Sequence, residues 1–214
     1  MKNKLFIQKL VGTAILAAVV ISLQLILGSI KLGPFNITFT LIPIILAAIL
    51  YGSLSAAFLG AVFGIMVCFS VVSGNDAGGY ILFSQRPLIT LLLCLLKSTL
   101  AGYLAGLSVH CTKQKFLRIL LPAVLAPIVN TGIFILGLVL FFQETLALWA
   151  NGQDAVVHFL LFSILGVNFL IELLVNLLVS PVIVRILQGI RFTKEEVENI
   201  QQNRTIENSV REKP

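Results

Sequence analysis

A single lysine, Lys97, interrupts an otherwise apolar stretch running from Pro87 to Leu107. Glu172 does the same in the last apolar stretch of the chain. An ionisable group at membrane depth is costly, so it faces a partner, a cavity or a ligand. Asn168, Glu172 and Asn176 recur at every fourth residue, which stacks them along one side of a helix. Asn130 adds an amide at a similar middle depth of the preceding stretch. Two chemistries fit this set. Lys97 and Glu172 can form a buried ion pair that fixes helix packing. Alternatively, Lys97 faces a ligand and Glu172 serves as its structural or coupling partner.

A second group lies at a rim. Arg86 precedes Pro87, beside Ser84 and Gln85. Its guanidinium suits a carboxylate or phosphate ligand, because the fork donates two parallel hydrogen bonds. It suits equally the role of an interface anchor. Phe35, Tyr80 and Trp149 are placed to cover a bound molecule or to sit as ordinary interfacial aromatics. Catalysis is not expected. His110 and His158 fall at span ends, with no nucleophile at motif spacing, no His-Glu-x-x-His and no Gly-x-Ser-x-Gly. No Walker loop is present, so the chain cannot itself hydrolyse ATP.

The elements that must hold these groups are membrane helices. The chain has 214 residues, is 58% hydrophobic and only 11% charged, and has a mean hydropathy of +1.03. A soluble domain carries about 25% charged residues. The net charge of +6 does not point to nucleic acid, because the basic residues gather at the ends of apolar segments. Cys68, Cys94 and Cys111 show neither zinc spacing nor a disulfide framework, and no cofactor is expected.

A crossing helix needs about 20 apolar residues. By that measure the spans fall near residues 5–29, 39–51, 53–73, 87–108, 118–142 and 157–188. The expected fold class is an all-α integral membrane protein, a bundle of six transmembrane helices. The second segment is too short to cross alone. Non-helical backbone beside it is tolerated only where protein buries it or a cavity adjoins it. The loop Lys31–Thr38, with Gly33-Pro34 as its breaker, is therefore expected to dip into the bundle, carrying Asn36 and Thr38.

Three basic clusters set the orientation: Lys2, Lys4 and Lys9; Lys113, Lys115 and Arg118; Arg185, Arg191 and Lys194. With six spans they share one side, which the positive-inside rule makes cytoplasmic, with both termini. Residues 1–194 are read as the membrane domain. Residues 195–214, polar and rich in glutamate, are read as a solvated cytoplasmic tail. No cleavable signal peptide is expected, because the first apolar run is as long as a full span.

Two stripes of small residues invite close helix approach. One is Gly12, Ala14 and Ala18; the other is Ala56, Gly60 and Gly64. Each can pack inside the bundle or dock a separate membrane partner.

The ordered set of segments resembles a known family. It comprises Gly33-Pro34-Phe35-Asn36-Ile37-Thr38, Tyr51-Gly52-Ser53, Lys97-Ser98-Thr99, Pro127-Ile128-Val129-Asn130 and Asn168-Phe169-Leu170-Ile171-Glu172. The chain is similar to the substrate-binding S-components of energy-coupling factor (ECF) vitamin transporters. The resemblance implies a multi-pass protein of a bacterial cell membrane, embedded in lipid. It would capture a water-soluble vitamin from outside. Its expected partners are a transmembrane coupling protein and two cytoplasmic ATPases, docking at Ala14 and Ala18. Phe35, Asn36, Thr38, Arg86, Lys97, Asn130, Asn168 and Glu172 are the expected substrate-binding residues. Lys97 and Arg86 favour an anion, and few aromatics are expected at mid-depth. Pantothenate therefore ranks first, then pyridoxine or a hydroxymethylpyrimidine, then folate. The rival reading is a self-sufficient proton-coupled carrier using Lys97 and Glu172.

Overall fold

The computed structural model describes residues 2–27, 31–32, 35–36, 39–114, 116–150, 156, 169–170 and 172–179. Apart from one small hairpin, the described elements are helices. They are α1 (Lys2–Leu27), β1 (Lys31–Leu32), β2 (Phe35–Asn36), α2 (Leu41–Tyr51), α3 (Ser53–Val72), α4 (Ala77–Gln85), α5 (Pro87–Ser108), α6 (Leu117–Phe141) and α7 (Gln143–Trp149). Residues 172–179 are also helical. Four helices are long and apolar enough to cross a membrane: α1, α3, α5 and α6. Their outward faces carry large exposed side chains such as Leu54, Phe69, Leu88 and Leu140. Such a continuous apolar exterior is what lipid covers. The expected sixth span falls largely outside the described residues, as do residues 195–214.

Local chemistry explains where the elements stop. Gly52 takes φ 89, a value that L side chains rarely adopt. It ends α2, its N–H bonding to the Ala47 carbonyl, and lets α3 begin at once. Eleven residues carry α2 only about 16 Å, short of a full crossing. Asp76 caps α4, its carboxylate accepting the Gly79 N–H at 3.1 Å. Arg86 ends α4, and Pro87 opens α5, where a missing N–H costs nothing.

Two elements were not anticipated. The expected loops between the third and fourth spans and after the fifth each contain a short helix, α4 and α7. These helices join at one end of the bundle through Thr145 Oγ1, which donates to Gln85 Oε1. Leu82, Leu138, Phe142 and Leu146 bury one another beneath them. The segment expected as an irregular loop also has order. β1 and β2 pair antiparallel, Lys31 opposite Asn36 and Leu32 opposite Phe35. The backbone of β2 lies against α4.

The core is centred on α3 and α5, which make the most extensive helix contact. Glycines permit it. A Cβ at Gly64 would lie 2.6 Å from Ser98 Oγ and 3.0 Å from the Cys94 carbonyl. A Cβ at Gly60 would strike the Ser98 carbonyl, one at Gly102 the Ala56 carbonyl, and one at Gly106 the backbone of Ser53. The stripe Ala56, Gly60 and Gly64 is therefore consumed inside the bundle. The stripe on α1 divides differently. Thr13, Ala17, Val20 and Gln24 are buried, whereas Ala14 and Ala18 are exposed. Gly12 faces the ring of Tyr51 in α2.

Candidate functional site

Within the bundle lies a cavity of about 90 Å³. A single water needs about 10–15 Å³ on this measure, so several waters or a small molecule fit. Its walls come from many elements. α1 contributes Gln24; α3 contributes Phe63, Val67, Ser70 and Val71. The α4 end contributes Asp76, Gly79 and Leu82. α5 contributes Thr90, Leu93, Cys94 and Lys97; α6 contributes Asn130, Thr131 and Phe134; and Glu172 comes from the last apolar stretch.

Lys97 sits about 15 Å along α5 from its start, at 1.5 Å per residue. Helical side chains tilt toward the helix N-terminus, so this one leans back toward the α4 end. Its Nζ lies 4.6 Å from the centroid of the Phe134 ring. Phe134 stands two turns before the end of α6, about 10 Å in. The ring's negative face stabilises the ammonium, more so away from water. The lysine is thus aimed along the cavity rather than out to lipid.

Asn130 is only 6% exposed. Its Oδ1 accepts no hydrogen bond among the described residues. A buried amide oxygen without a donor costs about 1–3 kcal/mol, so an acceptor stands ready in the wall. Glu172 is 7% exposed, and its backbone carbonyl accepts the Asn176 Nδ2 amide at 2.8 Å. Thr90 donates to the Arg86 carbonyl at 3.0 Å, and Ser98 to the Cys94 carbonyl at 2.8 Å. Ser98 thereby satisfies itself locally and stays in the α3–α5 seam.

Among the expected binding residues, the structure brings Lys97, Asn130 and Glu172 to one cavity. Arg86 is exposed at the α4–α5 junction and is not among the lining residues. Phe35 and Asn36 belong to β2, and their side chains lie outside what is described, as do Thr38 and Asn168. Tyr80 is exposed, and Trp149 packs on the Leu82–Leu138–Phe142–Leu146 cluster.

Sequence reasoning passed over Gln24, Asp76, Thr90, Phe63 and Phe134. Gln24 had a signal: it lies eleven residues after Thr13, three helical turns on, and so shares its face. Asp76 had one too, as an acceptor three residues before Gly79 at a helix start. The two phenylalanines had none, because the chain has fifteen. Both line the cavity, and among the described residues they are its two aromatics.

A polytopic helix bundle with an apolar exterior and a polar interior cavity defines a membrane protein that binds a small molecule. The family profile of ECF transporter substrate-specific components matches residues 8–184. The chain belongs to that family and is a substrate-binding membrane subunit of an ECF transporter. This is a family of transport subunits rather than of enzymes. No curated protein and no solved structure matches the chain.

Proposed function

We propose that the cavity holds a small water-soluble vitamin entering from the α4 end. The observation that carries this reading is Lys97, a mid-span ammonium lining the same cavity as Asn130, whose oxygen accepts no hydrogen bond among the described residues. Lys97, Asn130 and Glu172 are the core of the proposed site. Phe35, Asn36, Thr38 and Asn168 complete it, and Arg86 attracts the ligand at the rim. Pantothenate ranks first, because its carboxylate suits Lys97 and it has no ring to accommodate. Phe63 and Phe134 give pyridoxine or a hydroxymethylpyrimidine a stacking wall and rank them next. Folate ranks last, because it brings two carboxylates and a large flat ring system to a lining with one lysine.

The transport cycle completes the proposal. Six spans put both termini in the cytoplasm of a bacterial cell, with residues 195–214 as a solvated tail beyond the membrane domain 1–194. One coupling protein and two ATPases supply the energy, and the coupling protein docks on the α1 face bearing Ala14 and Ala18. The exposure of both alanines supports that choice of face. A self-sufficient carrier has no observation in its favour.

The test uses purified full-length chain and each candidate vitamin without ATP. A ligand at 100 times its Kd stabilises the fold by about 2.7 kcal/mol, read as a rise in Tm. Failure of every vitamin to raise it removes the proposal.

A further inference from the structure

Among the described residues, three charged groups line the cavity: Lys97, Asp76 and Glu172. One is cationic and two are anionic. A plain anion entering this space gains from Lys97 but must pass the like charge of the Asp76 carboxylate. The charges are also separated along the bundle. Asp76 stands at the α4 end, where α3 has finished and α4 begins. Lys97 stands mid-way along α5, its ammonium 4.6 Å from the centroid of the Phe134 ring of α6. Asn130, one turn before Phe134 on α6, offers an acceptor that none of the described residues fills. The cavity thus presents Lys97 and Asn130 from mid-helix positions, Glu172 from the last apolar stretch, and the Asp76 carboxylate at the α4 end.

The geometry points to Asp76 as a specificity-determining residue that selects a dipolar ligand. The acid or carbonyl end of such a ligand engages Lys97 below, and a hydroxyl, amine or other donor at the opposite end engages the carboxylate above. Asp76 has capacity for this. A carboxylate offers about four lone-pair sites, and capping Gly79 uses one. The assignment rests on the cavity being the ligand site proposed above.

The test is isothermal titration of the purified full-length chain in lipid nanodiscs with pantothenate, pyridoxine and 4-amino-5-hydroxymethyl-2-methylpyrimidine. Asp76→Asn keeps the helix cap, because asparagine caps about as well as aspartate, and removes the charge. For whichever probe binds, this variant is expected to weaken affinity about tenfold, since a charge-assisted hydrogen bond is about twice as strong as a neutral one. The ligand-free Tm stays unchanged. A methyl ether of the same probe, lacking its hydroxyl donor, binds both chains alike. Equal or tighter binding of the parent probe by Asp76→Asn overturns the assignment and leaves Asp76 as a helix cap alone. Lys97→Gln, titrated in parallel, separates the two readings. If it weakens binding while Asp76→Asn does not, only the role of Asp76 falls. If neither variant weakens binding, or no probe binds the parent chain, the cavity reading falls with it.

Discussion

Two stripes of small residues look alike in the sequence and are put to opposite uses. On α3, Gly60 and Gly64 lie so close to α5 that a side chain at either would collide with it, and the Ala56 carbonyl lies against Gly102. On α1, Ala14 and Ala18 face outward, and the helix packs inward through Thr13, Ala17, Val20 and Gln24. A small residue permits close approach but does not say what approaches. Residue type decides it in part. Glycine is needed where backbone meets backbone, whereas alanine still leaves a smooth surface for another helix.

The largest effect is expected in the seam. Gly60→Leu drives a branched side chain into the Ser98 carbonyl, where neither helix can give way. Overpacking a tight core costs about 1–3 kcal/mol when neighbours can shift, and backbone cannot swing aside as a side chain can. The variant is expected to lose its cooperative melting transition, read by circular dichroism in detergent. Normal melting would mean that α3 and α5 approach less closely than described.

Next comes the face of α5 beside that seam. Lys97→Ala removes an ammonium that lines the cavity. A hydrogen bond to a charged group contributes about 1.5–3 kcal/mol, so vitamin affinity should fall about 10- to 100-fold. The ligand-free Tm should change far less than it does for Gly60→Leu. Unchanged affinity would make Lys97 a structural residue.

Ala14→Trp tests the other stripe. The exposed position tolerates an indole against lipid, so folding and vitamin binding are expected to survive. Uptake by cells supplying the coupling protein and ATPases should fall at least about tenfold, since blocking a docking contact by 1.4 kcal/mol already does so. Loss of binding as well would place this stripe inside the bundle.

The four described crossing helices were legible because length and hydropathy are properties of single segments. Pro87 and Ser108 bound α5 in the structure as in the sequence reading, α3 ends one residue earlier than expected, and α6 is shifted by one residue at each end. The short helices α4 and α7 were not legible. Nine and seven residues carry too little periodicity to register, and their burial depends on each other's presence. Lys97, Asn130 and Glu172 stood out because polarity inside a span is rare. Asp76 did not, because a charge outside the spans looks like ordinary solvated surface. Its place in the cavity wall follows from α4 folding back over the bundle end, a tertiary fact. Phe63 and Phe134 were hidden by abundance: an aromatic among apolar neighbours reveals its direction only when the helices are assembled.

The smallest effect sharpens the comparison most, because Gly12 belongs to the α1 stripe yet faces inward. A Cβ there would collide with the hydroxyl end of Tyr51, which is only partly buried. That end belongs to a flexible side chain, so the ring can turn away, unlike the Ser98 carbonyl facing Gly60. Alanine is favoured over glycine in a helix by about 1 kcal/mol, against a similar cost for displacing the tyrosine from its rotamer, about 0.5–1.5 kcal/mol. Gly12→Ala is therefore expected to leave Tm nearly unchanged. Adding Tyr51→Leu, which clears the ring, should turn the alanine substitution stabilising in the double-mutant cycle. A large loss of stability in Gly12→Ala alone would mean that Tyr51 is held fixed. The α1–α2 contact would then resemble the rigid α3–α5 seam, and only Ala14 and Ala18 would remain to distinguish the two stripes.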